Sequence, residues 1–158
     1  MNKSLLSSQT HDWATPQSIV DSVEALLGIT FSLDPCAYPS TAKAPKYYTA
    51  LEDGLAQDWG DHTCWVNPPY GKHMGQWAKK ASQYHSVVLV PARTDTGWWH
   101  EYAMGADVIY LIRGRLRFEG AEHSAPFPSA LLHYSRQVPA TRRPIVQTLT
   151  HRQGVLTP

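Results

Sequence analysis

Asn67-Pro68-Pro69-Tyr70 follows the apolar run Cys64-Trp65-Val66, precedes Gly71, and sets an amide, two imino acids and an aromatic ring in an order few chemistries need. Methyl transfer to an exocyclic amino nitrogen is the chief one. Such a nitrogen is a poor nucleophile, because its lone pair is delocalised into a base ring or an amide carbonyl. The Asn67 side-chain oxygen and the Pro68 carbonyl can each accept a hydrogen bond from the amino hydrogens, drawing the nitrogen toward a tetrahedral form with an exposed lone pair. Proline fixes φ at both middle positions, so the backbone acceptor is in place before a substrate arrives. Tyr70 offers a ring face on which a flipped-out base can stack, a contact worth roughly 1–3 kcal/mol. The same four residues would also serve as plain turn punctuation at a strand end.

The elements that must position this loop are readable from spacing. Thr15-Pro16 is a helix-start signal, with Thr15 as N-cap and Pro16 at the first helical position. Ile19, Val20, Val23, Leu26 and Leu27 recur at helical intervals up to Gly28. A short strand is expected from Ile29 to Leu33, then mostly loop from Cys36 to Trp59 around a brief strand or turn at Lys46-Tyr47-Tyr48. A strand from Thr63 to Val66 leads into the tetrapeptide, and Met74, Trp77, Ala78, Ala81 and Tyr84 mark the next helix. Val87-Val88-Leu89-Val90 reads as a strand covered on both faces. A helix from Trp98 to Met104 and strands from Val108 to Ile112 and from Leu131 to Tyr134 complete the pattern. Alternating strands and helices argue for an α/β domain with a mostly parallel sheet, whose ligands bind at the carboxyl ends of the strands. Three successive strand ends carry Asp34-Pro35-Cys36, Asn67-Pro68-Pro69-Tyr70 and Pro91-Ala92-Arg93-Thr94-Asp95. A single site on one rim is the economical reading.

The 158 residues suffice for one domain with a real core and are too few for two ordinary ones. Hydrophobic content of 42% and charged content of 17% are those of a globular protein. No stretch approaches a membrane span, and Met1 to Thr10 lacks the apolar block of a signal peptide, so the protein is expected to act in the cytoplasm where it is made. Cys36 and Cys64 have neither zinc-site spacing nor the density of a disulfide scaffold, and read as reduced thiols. The eight histidines are scattered singly, so no metal is expected. Residues 1 to 61 hold eight acids against Lys3, Lys43 and Lys46, a balance of −5; residues 62 to 158 hold eleven Lys and Arg against five acids, a balance of +6. From Ser135 onward there are Arg136, Arg142, Arg143 and Arg152 with no acid. The asymmetry fits either a polyanion docking on one side or, for the last residues alone, a solvated basic tail.

Taken in order, several blocks resemble a known family. They are Asp12-Trp13-Ala14-Thr15-Pro16, Asp34-Pro35-Cys36-Ala37, Asp53-Gly54-Leu55-Ala56-Gln57-Asp58-Trp59, Asn67-Pro68-Pro69-Tyr70-Gly71, Pro91-Ala92-Arg93-Thr94-Asp95-Thr96 and Ile112-Arg113-Gly114-Arg115-Leu116. Their succession, from about Asp12 to Tyr134, is similar to that of the phage-encoded DNA N6-adenine methyltransferases, the phage Dam family. The resemblance implies a Rossmann-like methyltransferase sheet flanked by helices and reduced in size, S-adenosylmethionine as methyl donor, adenine in double-stranded DNA as acceptor, and a phage or prophage origin. It implies catalytic roles for Asn67, Pro68, Pro69 and Tyr70, and cofactor contacts from Asp12, Trp13, Thr15, Pro16, Asp34, Pro35 and Cys36. Asp53 or Asp58 would read the cofactor adenine, with Asp53 favoured. No Gly-x-Gly follows the first strand, and Asp34-Pro35-Cys36-Ala37 stands in its place.

Arg93 at its strand end would touch DNA or pair with a neighbouring acid. Arg113, Arg115 and Arg117 alternate, so in an extended segment they project from one face, as phosphate contacts would. Residues 1–134 are expected to form a single catalytic domain and 135–158 a basic C-terminal tail. That leaves no room for a separate target-recognition domain, which points to a short or loosely read target and leaves a homodimer open. Two rival readings share these residues: an amino methyltransferase acting on RNA or on glutamine in protein, and a non-catalytic DNA-binding protein with a methyltransferase-like fold.

Overall fold

The computed structural model describes residues 14–135 and 144–158. In chain order the elements are α1 (Gln17–Leu27), β1 (Leu33–Asp34), β2 (Lys46–Tyr47), β3 (Cys64–Val66), α2 (Met74–Ala81), β4 (Ser86–Pro91), α3 (Gly97–Glu101), a 3-10 turn (Ala103–Gly105), β5 (Val108–Arg113), β6 (Ser129–Tyr134), β7 (Ile145–Arg152) and β8 (Val155–Thr157). The strands form one sheet in the order β2-β1-β3-β4-β6-β5-β7-β8.

Side chains alternate across this sheet as the pleat requires. Trp65, Val87, Leu89 and Leu131 point to one face, where they pack with Ile19, Val20 and Val23 of α1. Cys64, Val66, Val88, Val90 and Leu132 point to the other, against Met74, Trp77 and Ala81 of α2 and Trp99 of α3. The unbroken apolar run in β4 is thereby explained: all six of its residues are buried, between helices on both sides.

The sheet is mixed rather than mostly parallel. β1 pairs in parallel with β2 and β3, β3 with β4, and β5 with β7, whereas β6 runs antiparallel to both β4 and β5, and β8 antiparallel to β7. A parallel return needs a crossover, usually a helix. The segment between β5 and β6 has none, so β6 comes back antiparallel and inserts beside β4. The stretch expected to be a basic tail is likewise structured from Ile145 onward. β7 pairs with β5 over six residues, from Val108↔Ile145 to Arg113↔Thr150, and Gln153-Gly154 (φ 50 and 79) turns it into β8. Two successive positive φ angles make the tight turn that suits a twisted hairpin.

Two boundaries differ from the sequence reading for local reasons. β1 is shorter than the expected strand, because the Phe31 N–H is taken by the Glu24 carboxylate at 2.7 Å. Helix α1 begins after Pro16, which is itself the N-cap residue and offers no side-chain cap. The Thr15 hydroxyl is employed elsewhere. Gly28 ends α1 as expected, in the left-handed conformation at φ 64 that favours glycine. Among the described residues, no helix is long and apolar enough to cross a membrane.

Candidate active site

From β1 the chain moves toward one edge to form β2, then returns to lay β3 on the other side of β1. The carboxyl ends of β1 and β3 therefore flank the point where strand order reverses, the place at which open α/β sheets bind ligands. A cavity of about 270 Å³ lies there. It is lined by Asp34, Pro35 and Cys36 from the end of β1, by Asn67, Pro68, Pro69 and Tyr70 from the end of β3, and by Thr15 and Asp53.

Asp34 is 4% exposed, and its carboxylate accepts backbone N–H bonds from Cys36 (3.3 Å) and Lys43 (3.0 Å). These bonds fold the loop after β1 around the carboxyl group, a role that a glycine-rich turn fills in other sheets. Burial raises the Asp34 pKa from 3.8 to about 6, against the opposing pull of the two backbone bonds and the Lys43 charge. Burial, then the neighbouring Asp34 charge, also pushes the Cys36 thiol well up, so it is a neutral wall rather than a nucleophile.

The second wall is held just as firmly. Asn67 Nδ2 donates to Thr15 Oγ1 at 3.1 Å, which fixes the amide plane and turns Oδ1 the other way. The Tyr70 hydroxyl stands 3.5 Å from that Oδ1, long for an O–H···O bond. The Tyr70 ring packs edge-to-face with Phe127 (5.1 Å between centroids, 89°) and Phe118 (6.4 Å, 69°). Burial, with Cys36 adding to it, raises the Tyr70 phenol and keeps it protonated.

The floor comes from the loop before β3. Asp53 adopts φ 52, uncommon for a residue with a side chain, and Gly54 sits so close to Pro35 that a Cβ there would lie 1.8 Å from the Pro35 carbonyl oxygen. Trp59 Nε1 donates to the Gly54 carbonyl at 2.8 Å. Lys80 of α2 donates to the carbonyls of Leu55 (2.7 Å) and Gln57. Asp53 thus reaches the cavity, while Asp58 does not line it: its carboxylate accepts from the Tyr84 hydroxyl (3.1 Å) and the Gly60 N–H (2.8 Å). Pro16 lies outside the lining, and Asp12 and Trp13 fall outside the described residues.

The chain matches the DNA N-6-adenine-methyltransferase (Dam) family over residues 3–155. The chain belongs to that family. It is 30% identical over 125 residues to a DNA N-6-adenine-methyltransferase of Haemophilus phage HP1, an alignment covering 75% of this chain and 72% of the phage protein. It is also 36% identical over 64 residues to the Escherichia coli (strain K12) protein named "Putative methyltransferase YfdM", covering 37% of this chain and 69% of that one. No solved structure is a significant match to the chain.

Membership in the Dam family makes DNA the substrate and S-adenosylmethionine the usual methyl donor. The basic residues expected to meet DNA lie apart from the cavity. Arg93 is exposed beyond β4, its carbonyl accepting from the Thr96 hydroxyl at 2.7 Å. Arg113 ends β5, exposed. After Gly114 turns the chain at φ 94, Arg115 and Arg117 are exposed while Leu116 and Phe118 between and beyond them are buried, as the alternation requires. Residues that sequence reasoning missed include Lys43, Gly54, Trp65 and Trp77 in the cavity lining. Lys43 also bridges to Glu119 at 3.3 Å, tying the loop after β1 to the segment between β5 and β6. Among the described residues no cluster of three or more His, Cys, Asp or Glu could hold a metal ion.

Proposed function

We propose that this chain methylates the N6 amino group of an adenine flipped out of duplex DNA, using the cavity between the ends of β1 and β3 for both the donor and the reacting base. One observation carries the reading: the Asn67–Tyr70 loop and the buried Asp34 loop line the same cavity at the strand-order reversal. Its chemistry is that of an amino methyltransferase.

Two features of the cavity suit S-adenosylmethionine. Asp34 is a buried carboxyl group that a cationic ligand would draw into its charged form. Trp65 lines the cavity, and its buried Nε1–H has no hydrogen-bond partner among the described residues. When bound, the cofactor supplies an electrophilic methyl group on a sulfonium sulfur. Asp34, Pro35 and Cys36 would hold it from the β1 side, and Asp53 from the floor; Thr15 acts through Asn67.

The protein's own groups then act on the base. Tyr70, held by Phe118 and Phe127, stacks the flipped adenine. Asn67 Oδ1, turned from Thr15, and the Pro68 carbonyl accept the two N6 hydrogens, which localises the nitrogen lone pair toward the methyl. Pro69, exposed at the loop tip, keeps the backbone acceptor rigid. The proton released after transfer passes to water, since Tyr70 and Cys36 both hold their own. Arg93, Arg113, Arg115 and Arg117 would contact phosphates.

Unmethylated duplex DNA incubated with methyl-labelled S-adenosylmethionine, followed by mapping of N6-methyladenine, tests the reading. Label appearing in RNA or in protein glutamine instead would assign a different acceptor, and no transfer to any of them would overturn it.

A further inference from the structure

The segment after β5 and the tip of the β7–β8 hairpin form the two walls of an open groove lined by Arg115, Arg117, Phe118, Glu122, His151 and Gln153. The groove is joined to the candidate active site through Phe118, which lines it and also packs against the Tyr70 ring. Its cationic and polar groups outnumber its one acid, Glu122. We propose that this groove is the track for the DNA backbone beside the flipped base, with the hairpin tip as its outer wall and His151 and Gln153 as phosphate contacts alongside Arg115 and Arg117. The proposal rests on the DNA-methylating reading of the site and adds a binding element that the sequence presents only as a tail.

Both walls are fastened by hydrogen bonds, as a backbone track requires if it is to fix the register of a base entering the cavity. Arg117 Nε donates to the Ala121 carbonyl at 2.9 Å, which pins its guanidinium to the inner wall. Gly114 brings the two walls together: a Cβ at Gly114 would lie 3.4 Å from the His151 carbonyl oxygen. The hairpin is fastened to α1, where Ser18 Oγ donates to the Gly154 carbonyl at 2.5 Å and the Leu156 N–H donates to Ser22 Oγ at 3.1 Å. That helix follows directly on Thr15, which orients Asn67. A phosphate seated at the tip is therefore linked by short steps to the catalytic amide. A polyanion is the partner this lining favours.

The test is duplex binding measured by fluorescence anisotropy between about 50 and 200 mM salt, with a short end-labelled adenine-containing duplex as the probe. Arg115→Gln with Arg117→Gln is expected to lower the slope of log affinity against log salt by about two units. Gln153→Glu and Gln153→Lys change only the charge at an exposed turn and so leave folding aside. The first should weaken the duplex about threefold and the second tighten it by a similar factor, as a single charge placed beside a phosphate implies. Equal affinity for both Gln153 variants, or an unchanged slope in the double arginine variant, would overturn the proposal. So would a wild-type chain that fails to bind duplex DNA. Calorimetry of S-adenosylmethionine on the same proteins separates the two ideas: absent cofactor binding with intact charge dependence would sink the catalytic reading and leave the groove standing.

Discussion

Thr15 Oγ1 accepts a hydrogen bond from Asn67 Nδ2 at 3.1 Å, joining the residue just ahead of α1 to the residue just after β3. Thr15 is 1% exposed, so water does not compete for the bond. Its consequence is orientational: with Nδ2 held on the hydroxyl, Oδ1 is the end of the amide turned away from Thr15. Thr15→Val keeps the shape and removes the acceptor. Turnover is expected to fall about five- to fiftyfold, the equivalent of roughly 1–2 kcal/mol, with KM for the cofactor unchanged. Thr15→Ser should restore it. Steady-state kinetics on the three proteins checks this, and a rise in KM without loss of kcat would mark Thr15 as a binding group instead.

Asp34 gives the site a pH signature. Its pKa is about 6 in the folded chain against an ordinary 3.8, so folding binds a proton between those values. Stability should therefore fall as pH rises from about 4 to about 6, by up to about 3 kcal/mol at full ionisation. A cationic ligand reverses the preference by favouring the carboxylate. Affinity for S-adenosylmethionine is expected to be about tenfold weaker at pH 5 than at pH 7. Asp34→Asn should flatten that profile and lower affinity at pH 7. Calorimetry across this range decides it, and a flat wild-type profile would remove Asp34 from the cofactor's contacts.

The orphaned Trp65 Nε1–H makes a sharper claim about the same cavity. Trp65→Phe deletes the donor and keeps most of the ring that packs edge-on to Phe31 at 5.4 Å. If the donor meets the bound cofactor, cofactor affinity should drop about threefold to tenfold, in line with one neutral hydrogen bond. The thermal midpoint of the free protein should fall modestly, since Phe leaves a small cavity where the fully buried indole stood. A variant that binds the cofactor as the wild type does would show the donor to be merely tolerated.

How far the sequence reaches depends on whether the needed information is local. The Asn67–Tyr70 and Asp34–Cys36 loops are legible because their chemistry sits within a few consecutive residues at strand ends, and the fold brings both to one cavity. Thr15 looks like an N-cap because the motif is local, whereas its actual partner is 52 positions away. Gly54 carries no signal until Pro35 is seen against it. The choice between Asp53 and Asp58 likewise turns on tertiary contacts, the Tyr84 hydroxyl having captured Asp58. The β7–β8 hairpin has a readable cue in its β-branched run and its Gln153-Gly154 turn. The neighbouring arginines and weak burial mask it, with Ile145 59% and Val146 56% exposed on a strand that still pairs along β5. The antiparallel placement of β6 depends on the lack of a crossover helix, which helix-strand alternation alone does not reveal.

Asn67→Ala bears on the centre of the mechanism, because it removes the side-chain acceptor while leaving the Pro68 carbonyl and the Tyr70 ring. Methyl transfer to duplex adenine, followed with labelled S-adenosylmethionine at saturating cofactor and DNA, should fall at least about a hundredfold. Cofactor binding by calorimetry should persist in the same variant. Full transfer by Asn67→Ala would contradict the mechanism outright.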